Sequence, residues 1–136
     1  MAFNFPSKEW IEKFMEVVNN SPSYKEAAKT WEGDFLFVVE PDEKLDKKHI
    51  FYLDLWHGDC RSVDLFDEDQ ELPETEFEYA GSYSNWLKVI NGEIDPIKGI
   101  LTGKMKLKGN KGKVMRAAKA AMELVNSAQK VETKFL

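Results

Sequence analysis

The chain has little with which to cross-link itself, span a membrane or grip a nucleic acid. It contains a single cysteine, Cys60, in 136 residues. No internal disulfide can form, and a reducing, cytoplasmic setting is the expectation that follows. No apolar run is longer than Phe35–Val39, far short of the ~20 residues a membrane helix needs. Residues Met1 to Ser7 lack a basic start followed by an apolar stretch, so no secretory signal is expected there. Positive charge is in deficit, with 19 Lys and Arg against 24 Asp and Glu and a net charge of −5. A nucleic-acid binder shows the opposite balance, because it must neutralise phosphates. There is no GxSxG, P-loop or dinucleotide fingerprint, which removes three large classes of enzyme site. At the C-terminus, Lys134-Phe135-Leu136 puts Phe where the peroxisomal tripeptide calls for a basic residue, so that address is not expected either.

What the chain does have is core material. Apolar residues make up 43% and aromatics 12%, enough for a packed interior in a chain of this length. No repeat or linker interrupts it, so residues 1–136 read as one domain. Apolar residues at helical spacing from Trp10 to Val18 follow Ser7, a good N-cap. A second short helix is expected after Ser23, where Ser23 and Glu26 make a capping-box pair, ending near Trp31–Gly33. Phe35–Val39 reads as a central strand covered on both faces. His49–Trp56 and Arg61–Phe66 read as further strands joined at His57-Gly58-Asp59, and Glu76–Ala80 as a fourth. Ser84 and Asp95-Pro96 start two short helices that stop at Gly92 and Gly103. Lys104–Lys108 alternates strictly and suits the charged edge of the sheet. A long helix is expected from Lys111 to about Lys130. The order predicts an α+β fold.

The run Asp95-Pro96-Ile97-Lys98-Gly99-Ile100-Leu101-Thr102-Gly103-Lys104-Met105-Lys106-Leu107-Lys108-Gly109-Asn110 resembles the signature of the sterol carrier protein type 2 domain. There a D-P-x-x-A-x-x-x-G-K-x-K-x-x-G pattern precedes the last long helix. Gly99 stands where that family often has Ala. The Ser84-Asn85-Trp86-Leu87 helix start and Gly92 are also similar, as is the order of elements from Trp31 onward. The resemblance implies a five-stranded, mostly antiparallel, mixed sheet with helices over one face. It also implies an apolar tunnel for a fatty acid, a fatty acyl-CoA or a sterol-like lipid, with neither catalysis nor cofactor. Carried over by position, the implied lining is Phe35, Phe37, Leu53, Leu55, Trp86, Ile90, Ile100, Leu101, Met105, Leu107, Met115, Ala118 and Met122. Packing against one another is the plainer role for any one of them. Burying each CH₂ is worth ~0.8 kcal/mol, so a long acyl chain gains on the order of 10 kcal/mol gross. Association costs of at least ~4 kcal/mol leave roughly micromolar binding, which suits a carrier that must also release.

Other constellations carry less. His57 and Cys60 with Asp54 and Asp59 could suggest a Cys/His nucleophile, but they straddle a hairpin turn with no oxyanion site. His49, His57 and Cys60 are too few for a structural zinc site. Asp67, Asp69 and Glu71 alternate in a loop that lacks the Gly and distant Glu of a calcium loop, and a solvated acidic loop is expected. The basic stretch Lys104, Lys106, Lys108, Lys111, Lys113 and Arg116 departs from the acidic background. It could meet an anionic membrane surface or the phosphates of an acyl-CoA, or simply keep an edge strand soluble. Two tasks stay open: a lipid carrier, and an accessory module whose apolar groove docks a partner protein. Monomer and homodimer are both compatible with the sequence.

Overall fold

The computed structural model describes residues 2–136 and leaves Met1 outside. A two-residue strand, β1 (Phe3–Asn4), leads into helix α1 (Lys8–Asn19). Ser7 caps α1 as expected, its side-chain oxygen accepting the Trp10 N–H at 3.1 Å, and Trp10, Ile11, Phe14 and Val18 form its buried stripe. The next helix, α2 (Pro22–Ala27), is capped by Ser21 rather than Ser23, with Pro22 in the first turn. Proline lacks the N–H that a first-turn position leaves unused, so Ser-Pro sets the start two residues before the expected cap. α2 ends at Ala27, short of the expected Trp31–Gly33.

Strands β2 (Glu32–Glu40), β3 (His49–Trp56), β4 (Asp59–Asp67) and β5 (Phe77–Ser82) build most of the main sheet. Its order is β4-β3-β2-β5-β6, with β6 (Lys106–Lys108) at one edge. β2 is central and pairs antiparallel with β3 and parallel with β5, which makes the sheet mixed. The β3–β4 turn places His57 at φ 50° and Gly58 at φ 83°, the left-handed pair that a two-residue hairpin requires. A Cβ on Gly58 would also lie 2.9 Å from the Lys25 backbone, so this turn is built against α2.

Helix α3 (Tyr83–Ile90) starts at Ser82 rather than Ser84, and Ser82 accepts the Asn85 N–H. Ser84 instead donates to Asp42, which also accepts its backbone N–H, both at 2.8 Å. Helix α4 (Pro96–Leu101) starts where Asp95-Pro96 indicated, with Asp95 accepting from Ile97 and Lys98. The expected long helix is two: α5 (Lys111–Arg116) and α6 (Ala118–Lys130). They part at Ala117, whose φ of −102° and ψ of 27° leave the helical region; alanine there gives no sequence signal of a break. A last short strand, β7 (Thr133–Lys134), pairs in parallel with β1, and this small second sheet had no periodicity by which to be foreseen.

Alternation along the strands sorts the sheet into two faces. Phe35, Val39, Phe51, Leu53, Leu55, Phe77 and Tyr79 face the helices and share one buried cluster with residues of α1, α2, α3, α4, α5 and α6. Among the described residues, the buried apolar side chains of the opposite face are Leu36, Val38 and Ile50, screened by Tyr52, Phe66 and Ala80, with no helical residue among them. The fold is therefore α+β, with helices over one face of a five-stranded mixed sheet.

Candidate functional site

Side chains on the helix-covered face do not close up completely. Between sheet and helices lies a cavity of about 100 Å³ with a wholly apolar wall. The sheet supplies Phe35, Phe37, Phe51 and Tyr79, α3 supplies Trp86, Val89 and Ile90, and α4 supplies Pro96, Ile97 and Ile100. Val114 of α5 and Ala121, Leu124, Val125 and Ala128 of α6 close the top, while Phe5, Trp10 and Phe14 close the side by α1. A second void of about 40 Å³ lies beyond Phe35, Val114, Ala121 and Leu124, which line both. Those four side chains are the partition between the two spaces.

Three wall residues carry a polar hydrogen, and each gives it to the protein. Trp86 Nε1 donates to the Val38 carbonyl at 2.8 Å, the Tyr79 hydroxyl to the Pro96 carbonyl at 2.7 Å, and Trp10 Nε1 to Thr133 Oγ1 at 2.9 Å. Burial, with Asp95 behind it, pushes the Tyr79 hydroxyl well above its ordinary pKa and keeps it a donor. Among the described residues no buried side-chain nitrogen or oxygen lacks a hydrogen bond. Tyr79 and Trp86 pack edge to face, with centroids 5.5 Å apart at 83°, an arrangement aromatic pairs favour. Such a wall offers contact area without any unpaired donor or acceptor.

Of the thirteen residues carried over by position, Phe35, Phe37, Trp86, Ile90 and Ile100 line the cavity, and Leu55 joins Phe35 in the second void. Leu53 and Met105 are fully buried behind the wall. Leu107 and Met115 pack half-buried against the same core, and Ala118 is half-buried at the start of α6. Leu101 is 71% exposed and Met122 37%, so neither reaches the cavity. The carried-over set missed Phe51 and Tyr79 of the sheet, Val89, Pro96, Ile97 and Val114, and all four α6 residues of the wall, besides the contribution of α1 and of Phe5. Trp10 and Phe14 carried a signal in their helical spacing, whereas Phe5 lies beside a two-residue strand that had none.

The other constellations separate. His57 Nε2 contacts Glu32 Oε2, whereas the buried Cys60 thiol faces the Ser62 carbonyl at 3.7 Å. Burial, then the charge of Asp54, pushes that thiol up to about 12, the opposite of what a nucleophile needs. Asp67 accepts the Asp69 N–H and gives its own to Gln70, forming a closed turn. Among the described residues no group of three or more His, Cys, Asp or Glu could hold a metal ion. No helix among them is long and apolar enough to cross a membrane.

The model of the SCP-2 sterol transfer family matches residues 11–122. The chain belongs to the SCP-2 sterol transfer family. A solved sterol carrier protein 2 superposes on this SCP-2 family member with a TM-score of 0.83 and 32% identity, over 92% of this chain and 97% of the other. A Thermus thermophilus protein described as possibly a sterol carrier protein gives 0.84 and 31%, over 94% and 90%. SCP2L2 of Aedes aegypti, solved in palmitated form, shares the fold at a TM-score of 0.53 and 13% identity, over 82% and 93%. No curated protein matches the chain. Family and fold together support binding or transfer of an apolar lipid as the general task.

Proposed function

We propose that this SCP-2 family member carries a fatty acid, a fatty acyl-CoA or a sterol-like lipid in the cavity between sheet and helices, and does so without catalysis or cofactor. The observation that carries this reading is the wall itself: it is wholly apolar, and the hydrogens of Trp10, Tyr79 and Trp86 are committed elsewhere. Apolar walls select by shape and surface area, at about 25 cal/mol per Å² removed from water. Phe35, Phe37, Trp86, Ile90 and Ile100 touch the ligand in this reading, with Leu55 beyond the partition. Leu53, Met105, Leu107, Met115 and Ala118 support them, and Leu101 and Met122 stand outside.

Size sets a condition on how the ligand is admitted. An apolar cavity of roughly 150 Å³ holds one benzene ring, and this one measures about 100 Å³. A long acyl chain therefore needs the two voids joined and the helices displaced. In this reading Leu124 and Phe35 rotate away from the partition they form with Val114 and Ala121, and α5 shifts relative to α6 at the uncapped break at Ala117.

The test is displacement of a fluorescent fatty acid by palmitate. Saturable binding in the micromolar range, reversed by palmitate, supports the reading. A flat titration sinks it and turns attention to a partner protein for the same groove.

A further inference from the structure

The chain is acidic overall, yet its charge is divided. Residues 96–122 contain eight of the 19 Lys and Arg and none of the 24 Asp and Glu. This stretch builds α4, the edge strand β6, α5 and the first turn of α6. Among the described residues, Lys98, Lys104, Lys106, Lys111, Arg116 and Lys119 have no salt-bridge partner, whereas Lys108 and Lys113 pair with Glu78 and Glu76. Each unpaired cation is exposed.

Within this basic stretch sits a large exposed apolar side chain. Leu101 is 71% exposed, and Leu101, Thr102, Gly103 and Lys104 are exposed one after another. A Cβ placed on Gly103 would meet nothing within 4 Å, so the turn projects into open space. Lys98 and Lys104 flank Leu101, and Ile97 and Ile100 of the same helix line the cavity. Met122, 37% exposed, follows Ala121, which lines the cavity from α6.

We propose that the basic stretch from Pro96 to Met122, led by Leu101 between Lys98 and Lys104, is the surface by which the protein docks on an anionic lipid bilayer. Exposed cations beside an apolar tip match the two parts of such a surface, its negative headgroups and the acyl boundary beneath them. A polyanion such as duplex nucleic acid would be drawn to the lysines alone and would leave Leu101 unused. Docking here sets the helix that carries Ile97 and Ile100 against the membrane, which is where a cavity for apolar lipid needs to open. That consequence rests on the proposed carrier function; the docking itself does not.

Sedimentation with vesicles of phosphatidylcholine alone, or mixed with phosphatidylserine, tests it on the full chain. Binding is expected to the mixed vesicles only, and it should weaken as salt screens the charges. Each lysine near an anionic surface is worth about 1 kcal/mol, or fivefold. The double variant Lys98→Glu and Lys104→Glu should therefore bind at least about thirtyfold more weakly. Leu101→Ser should weaken binding without changing its salt dependence. Lys44→Glu with Lys47→Glu makes the same change in net charge on an exposed loop and should bind as the parent does. Equal binding to neutral vesicles, equal loss in the loop variant, no vesicle binding, or a gel shift with duplex DNA in its place would each overturn the proposal. Loss of vesicle binding with the fatty-acid probe still bound removes the docking surface alone. Loss of the probe with vesicle binding intact removes the cavity reading alone.

Discussion

Trp86 gives its indole N–H to the carbonyl of Val38 at 2.8 Å, and the same ring lines the cavity. One residue of α3 thus anchors the helix to the central strand and shapes the space beneath it. The bond also commits the indole N–H to the protein, so that no free donor of Trp86 is left for an occupant. Phe37 and Tyr79 hold the ring from the sheet side, at centroid distances of 5.4 and 5.5 Å.

Trp86→Phe should therefore cost stability and relax the cavity together. The lost hydrogen bond accounts for about 1 kcal/mol, and the smaller ring brings the total to about 1–3 kcal/mol. Urea unfolding checks this, with a lower midpoint and an unchanged slope expected. An unchanged midpoint would mean that the Val38 contact contributes nothing.

Ala121 lines both voids, so a larger side chain there occupies the space a ligand would use. Ala121→Leu should weaken fatty-acid probe binding at least about tenfold while shifting stability by less than about 1.5 kcal/mol, since it fills empty volume. A variant that binds the probe as the parent does would place the ligand elsewhere.

Gly109 tests the closure at the far end of the sheet. Its φ of 119° disfavours any other residue, and a Cβ would lie 2.5 Å from the Phe77 ring and 2.8 Å from the Glu76 carbonyl. The backbone carbonyl cannot give way as a flexible side chain could. Gly109→Ala should destabilise by about 2–3 kcal/mol, read as a lower urea midpoint. A neutral result would show that the β6–α5 connection is free to rearrange.

Alkaline pH should unfold the protein through groups that burial keeps protonated. The buried Cys60 thiol is pushed up to about 12, whereas an unfolded thiol titrates near 8.5. The folded chain then retains a proton that the unfolded chain releases. The stabilisation is complete below about pH 8.5 and is lost as pH rises through about 12. Burial raises Tyr24 and Tyr79 in the same direction, so they add to the decline above their ordinary value near 10. Urea midpoints measured from neutral to alkaline pH should hold steady and then fall, less steeply in Cys60→Ala. Identical slopes would show that Cys60 has no part in it.

The sequence was most legible where one local rule acted alone. Asp95-Pro96 carries both a cap and a first-turn proline, and α4 begins there. The unbroken apolar run Phe35–Val39 marks the central strand, but only one of its faces is covered by helices; on the other, Leu36 and Val38 are buried by neighbouring strand side chains alone. Lys106–Lys108 marks an edge because lysines tolerate the solvent there. Legibility failed where two caps competed, as at Ser21 and Ser23 or Ser82 and Ser84, since only the tertiary partner Asp42 draws Ser84 away. It failed again at Ala117, where a good helix former ends one helix and starts another. At the site, facing the core and facing the cavity give the same pattern. Leu53 and Phe51 alternate with the same period, yet only Phe51 meets the empty space, because cavity shape depends on how far each ring reaches across the core. Leu101 continues an apolar pattern after Ile100 but stands at the last residue of α4, where the chain turns out to solvent.

Occupancy of the space between sheet and helices by an apolar lipid is read most directly by native mass spectrometry of the purified protein, with organic extraction of whatever it carries. The expected result is a mass excess that extracts as fatty acid, acyl-CoA or another apolar lipid, and that falls away in Ala121→Leu. A clean mass in the parent protein, together with no uptake of palmitate added at micromolar concentration, would contradict it.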